Sequence, residues 1–237
     1  CVYARLSIRR LGSGPMWRIV SSLLLAGVGA LLLWGCSSRP EYVAREEPWR
    51  DREEQACLAA NVVRETRFVQ ARSALGGPSM CGAARPFEMA GTHDGRIGLK
   101  PTALLRCPMV PAVERWIANT IEPAARRHLG APVVEMKVAA SYACRPINHQ
   151  SGGRLSEHGR ANAIDIAAFH LADGRVVTVK DGWYGTGQER AFLRAVHGGA
   201  CGEFSTVLGP EADRFHRDHL HVDLARHGRD GTYRVCQ

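Results

Sequence analysis

The stretch Ser141–Asp165 reads SYACRPINHQSGGRLSEHGRANAID, and the flanking sequence is best understood as scaffold for it. It places His158 ahead of Asp165, with a run of small residues between them. Near the C-terminus, Asp218–Asp223 reads DHLHVD and adds His219 and His221. Two imidazoles and a carboxylate delivered by separate segments make a three-ligand zinc site with one open position. A second histidine is then left over for proton transfer.

The patterns on either side predict how these groups are delivered. After Pro132 the hydrophobic period is two. In VVEMKVAASY, Val134, Met136, Val138 and Ala140 form one face and Val133, Glu135 and Lys137 the other, the mark of a half-buried strand. Asn162–His170 (NAIDIAAFH) is strand-like again, with Ile164 and Ile166 on one face and Asp165 on the other. Asp173-Gly174 turns the chain, and Arg175–Lys180 returns as the second arm of a hairpin. Gln188–His197 carries Phe192, Leu193 and Val196 at helical spacing, and Phe204–Leu208 and His219–Ala225 are two more short strands. In the last, Leu220, Val222 and Leu224 oppose His219, His221 and Asp223. Upstream, Asp51–Gln70 predicts an amphipathic helix buried through Cys57, Leu58, Val62 and Val63. Met80–Lys100 reads as loops and small strands. Val110–Leu129 reads as a helix that Pro123 ends or kinks and Gly130 closes. The expected fold is therefore α+β: a small antiparallel sheet carrying a metal site, with helices packed on its other side.

The chain has 237 residues, 45% of them hydrophobic, enough for one sizeable core. From Met16 it reads MWRIVSSLLLAGVGALLLWGCSS, a short positive start, an apolar run and small residues, which is the form of a secretory signal. Met16 is thus the expected start, residues 1–36 a signal, 37–50 a polar tether and 51–237 one domain. Leu33-Trp34-Gly35-Cys36 resembles a bacterial lipobox, which implies a lipid anchor at Cys36 and a place on the periplasmic face of a membrane. Net charge is +8, from 31 Lys+Arg against 23 Asp+Glu. Four of those arginines precede Cys36 with no acid among them, so a chain beginning there carries 27 against 23, or +4. That is compatible with an anionic wall or membrane surface and gives no argument for nucleic acid. Cys57, Cys81, Cys107, Cys144, Cys201 and Cys236 are scattered, even in number and without a C-x-x-C pair, as disulfides in an oxidising compartment would be. Fifteen pairings are possible and the sequence does not choose among them. Cys144 beside the site admits a catalytic thiol as a competing reading.

The pattern Ser156-x-His158-x-x-Ala161-x-Ala163-x-Asp165, followed by His219-x-His221, resembles the signature of the LAS group of zinc peptidases, the D-alanyl-D-alanine carboxypeptidases, dipeptidases and endopeptidases that act on peptidoglycan peptides. Ala161 stands where that group usually has glycine, and Ala143-Cys144 is inserted before the arginine of a Ser-Tyr-Arg segment. From about Pro48 to Cys236, stretches such as RSALGGPSMCG, LRCPMVPAVERW and HRDHLHVDLAR resemble the bacterial extensin-like C-terminal domain family. The peptidase resemblance implies Zn2+ bound by His158, Asp165 and His221, with His219 as the general base and acid. Arg145 would hold a substrate carboxylate or the tetrahedral oxyanion, and Ser156 would contact substrate or backbone. Asp218, Asp223 and His216 would orient the imidazoles. Competing readings make His219 a fourth ligand, Arg145 half of a structural ion pair and Ser156 a turn cap. The function these residues imply is zinc-dependent hydrolysis of peptidoglycan peptides; a wall-binding or structural module that keeps the metal site is the alternative.

Overall fold

The computed structural model describes residues 42–77 and 80–237. The expected signal and its Cys36 anchor lie outside them. No helix among the described residues is long and apolar enough to cross a membrane.

Strand β1 (Tyr42–Val43) and helix α1 (Pro48–Ala59) come first. Both fall within or begin inside the segment expected to be a tether. Pro48 sits in the first turn of α1, where its missing N–H costs nothing. The helix stops at Ala59 instead of running to Gln70, because Asn61 takes a left-handed conformation with φ 48°. Its fully buried side chains are Arg50 and Glu54, Cys57 and Leu58 are only partly covered, and Val62 is exposed.

Strands β2 (Val69–Ala71), β3 (Leu75–Gly76), β4 (Gly82–Ala83), β5 (Phe87–Gly91) and β6 (Gly98–Leu105) follow. Helix α2 (Met109–Trp116) passes through one π-helical turn, Ile117–Ile121, into α3 (Glu122–Leu129). Pro123 is the reason for that turn. It has no N–H for the carbonyl four residues back and its ring would strike it, so the ladder widens and Glu122 N–H bonds to Ile117 O instead. Gly130, at φ 70°, closes the helix.

Strand β7 (Val133–Ala140) has a register shift between Val133 and Glu135. The extra residue turns Val133 inward and leaves Val134 41% exposed, the reverse of strict alternation. Strand β8 (Gly153–Arg154) precedes a single 3₁₀ turn, Glu157–Arg160, that carries His158. Strands β9 (Ala163–Leu171) and β10 (Val176–Thr178) form the expected hairpin. After the short α4 (Val179–Gly182), a capping box of Thr186 and Glu189 starts α5 (Gly187–Glu203). Strands β11 (Thr206–Leu208), β12 (Leu220–Asp223) and β13 (Val235–Cys236) complete the fold.

The main sheet runs β13-β11-β12-β9-β7-β6-β5-β2, with β10 also on β9. It is α+β as expected, but its nine strands include two parallel pairs, β6/β7 and β11/β13. One face carries the core. Ile164, Ile166, Leu220 and Val222 pack in one cluster with Trp116, Ile121 and Phe192 from the helices. Trp116 Nε1 donates to Val196 O at 3.0 Å, which satisfies the one polar atom of a fully buried ring. Between Lys137 and Val138 of β7 the register slips again, so β9 spans Ile166 to Ala168 against that step. This lets Asp165 face away from the helices while Phe169, farther along, meets Phe192 edge-on at 5.1 Å. Three disulfides pin the layers: Cys57–Cys107, Cys81–Cys144 and Cys201–Cys236. The second rules out Cys144 as a free thiol nucleophile.

The turn bearing His158 is clamped to α1. Arg50 donates both terminal nitrogens to Glu157 at 2.6 Å each, and Asn162 Nδ2 donates to the same carboxylate at 2.6 Å. Arg50 is 6% exposed, so Glu157→Ala leaves a buried guanidinium with its Glu47 contact alone and should cost about 1–3 kcal/mol. At about 2–4 °C per kcal/mol for a domain of this size, thermal unfolding should fall by roughly 2–12 °C. A shift under about 2 °C by circular dichroism would show that the clamp contributes little.

Candidate metal centre

The site is built from two adjacent strands and one turn. In the antiparallel pair β9/β12, His221 lies directly opposite Asp165. Residues opposite one another share a face, so both side chains project away from the helices. His158 joins them from the 3₁₀ turn just before β9. Its backbone is set by Ser156, whose Oγ accepts from His158 N at 3.4 Å, and by Ala161, which closes the turn at φ 51°. That left-handed conformation costs an L-residue about 1–2 kcal/mol, a cost that glycine would avoid.

The three side chains are buried, and each offers one ligand atom within 4.8 Å of the others. The His158 Nδ1–H donates to Ser141 O at 2.6 Å, which fixes the tautomer and turns Nε2 inward. That Nε2 lies 3.2 Å from His221 Nδ1 and 3.1 Å from Asp165 Oδ2. His221 Nδ1 is 2.8 Å from Asp165 Oδ1, and its Nε2–H donates to Asp223 Oδ2 at 2.9 Å. Both imidazoles thus use their outer nitrogen on a protein acceptor and aim the inner one at a common point. Inner donors of N, N and O type, with oriented outer nitrogens, fit Zn2+.

Electrostatics agree. Burial pushes Asp165 up, but the hydrogen bonds and charges of His158 and His221 outweigh it and hold the carboxyl far below its usual range. Burial likewise pushes His221 down, but Asp165 and Asp223 outweigh it and lift the imidazole to about 10. With no metal ion bound, both carboxylates thus favour a proton on His221.

His219 is half-buried at the edge of this group, its Nε2 3.7 Å from Asp165 Oδ2 and its Nδ1 donating to Asp218 Oδ1 at 2.8 Å. His216 is buried nearby, ring centroid 5.2 Å from His219 and 5.7 Å from His221, with Nδ1 on Asp213 Oδ1 at 2.8 Å. Burial, with repulsion from His221 and His219, lowers His216 more than Asp213 raises it. His158, Asp165, His216, His219 and His221 open onto a cleft of about 830 Å³ that Arg145 and Ser156 also line. Arg145 is half-buried and bonds only to Pro146 O, at 3.4 Å; among the described residues no carboxylate pairs with it. Ser156 is 5% exposed and acts through the turn it caps.

Sequence reasoning missed the Ser141 carbonyl, Arg50, Glu157, Asn162 and Asp213. Backbone acceptors leave no residue-type signal, and Arg50 and Glu157 are 107 positions apart. Asp213 stood three residues before His216, a spacing that could have marked it. His197, Cys201 and Cys236 also lie close together, but the two sulfurs are tied up in their disulfide.

No curated protein and no solved structure matches the chain. The family model described as "Extensin-like protein C-terminus" matches residues 55–237, which takes in every element of the site except the Arg50 clamp. The chain belongs to the extensin-like protein C-terminus family.

Proposed function

We propose that this chain is an exported zinc-dependent hydrolase of peptidoglycan peptides, of D,D-carboxypeptidase or endopeptidase type. The observation that carries this reading is the convergence of His158 Nε2, His221 Nδ1 and Asp165 within 4.8 Å, with His219 standing beside the group. The order and spacing of these residues are similar to those of the LAS zinc peptidases, and an export signal anchored at Cys36 would place them at the periplasmic wall. A zinc ion held there supplies Lewis acidity and lowers the pKa of an adjacent water to about 7. His219 Nε2 takes the proton from the attacking water and returns it to the leaving amine, while Asp218 holds Nδ1 and the ring's orientation. Arg145, with its guanidinium unclaimed by any described carboxylate, receives the substrate's carboxylate or the developing oxyanion through its fork of N–H donors. Asp223 holds His221 so that Nδ1 faces the ligand group.

These roles separate in variants. The protein should carry near one zinc per chain by elemental analysis, and His221→Ala should carry none. Asp223→Asn should weaken zinc binding by about 10–100-fold. His219→Ala should keep the zinc yet lose digestion of purified sacculi by at least about 100-fold. A wild-type protein that binds sacculi and never cleaves them would replace this reading with that of a non-catalytic wall module.

Zinc binding should also be linked to protons. Because His221 is lifted to about 10, it is charged at neutral pH and must lose its proton to donate from Nδ1. Asp165 is already ionised and releases none. Titration calorimetry of the metal-free protein in buffers of different ionisation enthalpy should therefore find at least about one proton released per zinc at pH 7, from His221, and more as the zinc-bound water ionises. Apparent affinity should rise at least about tenfold per pH unit between about pH 6 and 8. Zinc binding with no proton release would mean that His221 is not a ligand.

A further inference from the structure

We propose that one wall of the cleft is a binding face for an acidic peptide, with Arg45 and Arg154 as its anion contacts. The inference rests on the hydrolase reading for the substrate's identity but not for its charge. The wall is a small layer of three backbone segments. Residues 42–43 pair in parallel with 153–154, Val43 opposite Arg154, and Pro146 bridges Leu155 in antiparallel sense. Side-chain alternation gives the layer two faces. Its back is apolar: Tyr42 and Leu155 are buried with Cys81, against Ala44 and Cys144. Its front lines the cleft with Val43, Arg45, Arg145, Ile147, Arg154 and Ser156.

Charge on this front is unbalanced. Each acid lining the cleft already has a cationic or imidazole partner: Glu47 and Glu157 hold Arg50, Asp165 and Asp223 hold His221, and Asp213 holds His216. Three arginines of the cleft are engaged too, Arg50 by Glu157, Arg160 by Glu47 and Arg226 by Glu53. Arg45 and Arg154 are exposed and, like Arg145, form no ion pair among the described residues. Unpaired guanidinium groups on a concave surface select anions, and their fork geometry suits carboxylates. Val43 and Ile147, 49% and 38% exposed, lie on the same front and offer apolar contact beside the arginines. Alternating apolar and cationic contacts along an extended layer match a peptide carrying spaced carboxylates. With Arg145 at the catalytic end, Arg45 and Arg154 would read carboxylates away from the cleaved bond.

The test compares a fluorescein-labelled stem peptide bearing free carboxylates with the same peptide amidated at all but its C-terminus. Anisotropy is measured with zinc-loaded wild type and with the Arg45→Gln/Arg154→Gln double variant, and zinc content and cleavage are scored in the same samples. The wild type should bind the carboxylate form about tenfold tighter. The double variant should lose that preference while keeping its zinc. Equal binding of both peptides by the wild type, no binding of either, or a preference that survives in the double variant overturns the proposal. Phosphatidylglycerol vesicles that sediment the wild type through these two arginines, with no peptide preference, overturn it in favour of a lipid surface. Preference without cleavage leaves this face standing and removes the hydrolase reading, whereas cleavage without preference does the reverse.

Discussion

Asp165 is a carboxylate placed inside protein, 4% exposed, on the central strand of the sheet. Moving an unpaired carboxylate out of water costs several kcal/mol even after the surroundings relax. Here the cost is offset by two imidazoles that arrive from different directions, His221 across the β9/β12 ladder and His158 from the turn before β9. The cross-strand contact exists only in one register. A slip of one residue between β9 and β12 would put Asp165 opposite an aliphatic residue and turn His221 towards the helices. The packing of Ile164, Ile166, Leu220 and Val222 against Trp116 and Phe192 forbids that slip, so the apolar face of the sheet fixes the chemistry of its polar face.

His158 has no strand of its own and depends on three separate ties. The Ser141 carbonyl takes its outer nitrogen, the Arg50–Glu157–Asn162 cluster holds its turn to α1, and Cys81–Cys144 binds the segment just after Ser141 to the β4 region. Tyr42 Oη lies 3.3 Å from the sulfur of each of those cysteines, which joins the first described residue to the same corner. Closing a loop of 63 residues removes about 4 kcal/mol of unfolded-state entropy in the chain-entropy picture. A single short turn of this kind needs such external constraint, since its few backbone hydrogen bonds alone would let it fray. The ties come from the N-terminal, central and site segments, so the site forms only when the whole domain has folded.

What the sequence made legible follows from how local each signal is. The alternation in NAIDIAAFH and LHVD placed Asp165 and His221 on the polar face correctly, because one strand's period decides it. The reading of Val134 as inward failed, since a bulge inserts a residue and reverses the alternation without leaving a mark in composition. The N-terminal segment was read as a tether because a two-residue strand and a buried arginine both look polar. Arg50 is buried against Glu157, far away in sequence, as well as against Glu47. Pro123 was read rightly as a disturbance, but the chain absorbs it in a π turn and keeps the helix going. Disulfide pairing was illegible for the reason that fifteen arrangements share one sequence.

The geometry of the two downstream histidines bears on whether the centre is closed or open. A structural zinc site fills its fourth position with a protein ligand, and His219 is the candidate for that. It lies 3.7 Å from Asp165, however, while the His158, Asp165 and His221 contacts fall at 2.8–3.2 Å. The environments differ in kind as well. His221 is buried between two carboxylates, Asp165 and Asp223, that raise its proton affinity to about 10, suited to holding a cation and ill suited to passing a proton back and forth. His219 sits at the cleft edge against Asp218, which is itself exposed, and has water on one side. A base must be reachable by both water and leaving group, and a ligand must be shielded from competing protons. Under the proposed roles, residues 219 and 221, separated by one residue at one strand end, would meet those opposite requirements because the cleft mouth lies between the buried ladder and the loop that precedes it.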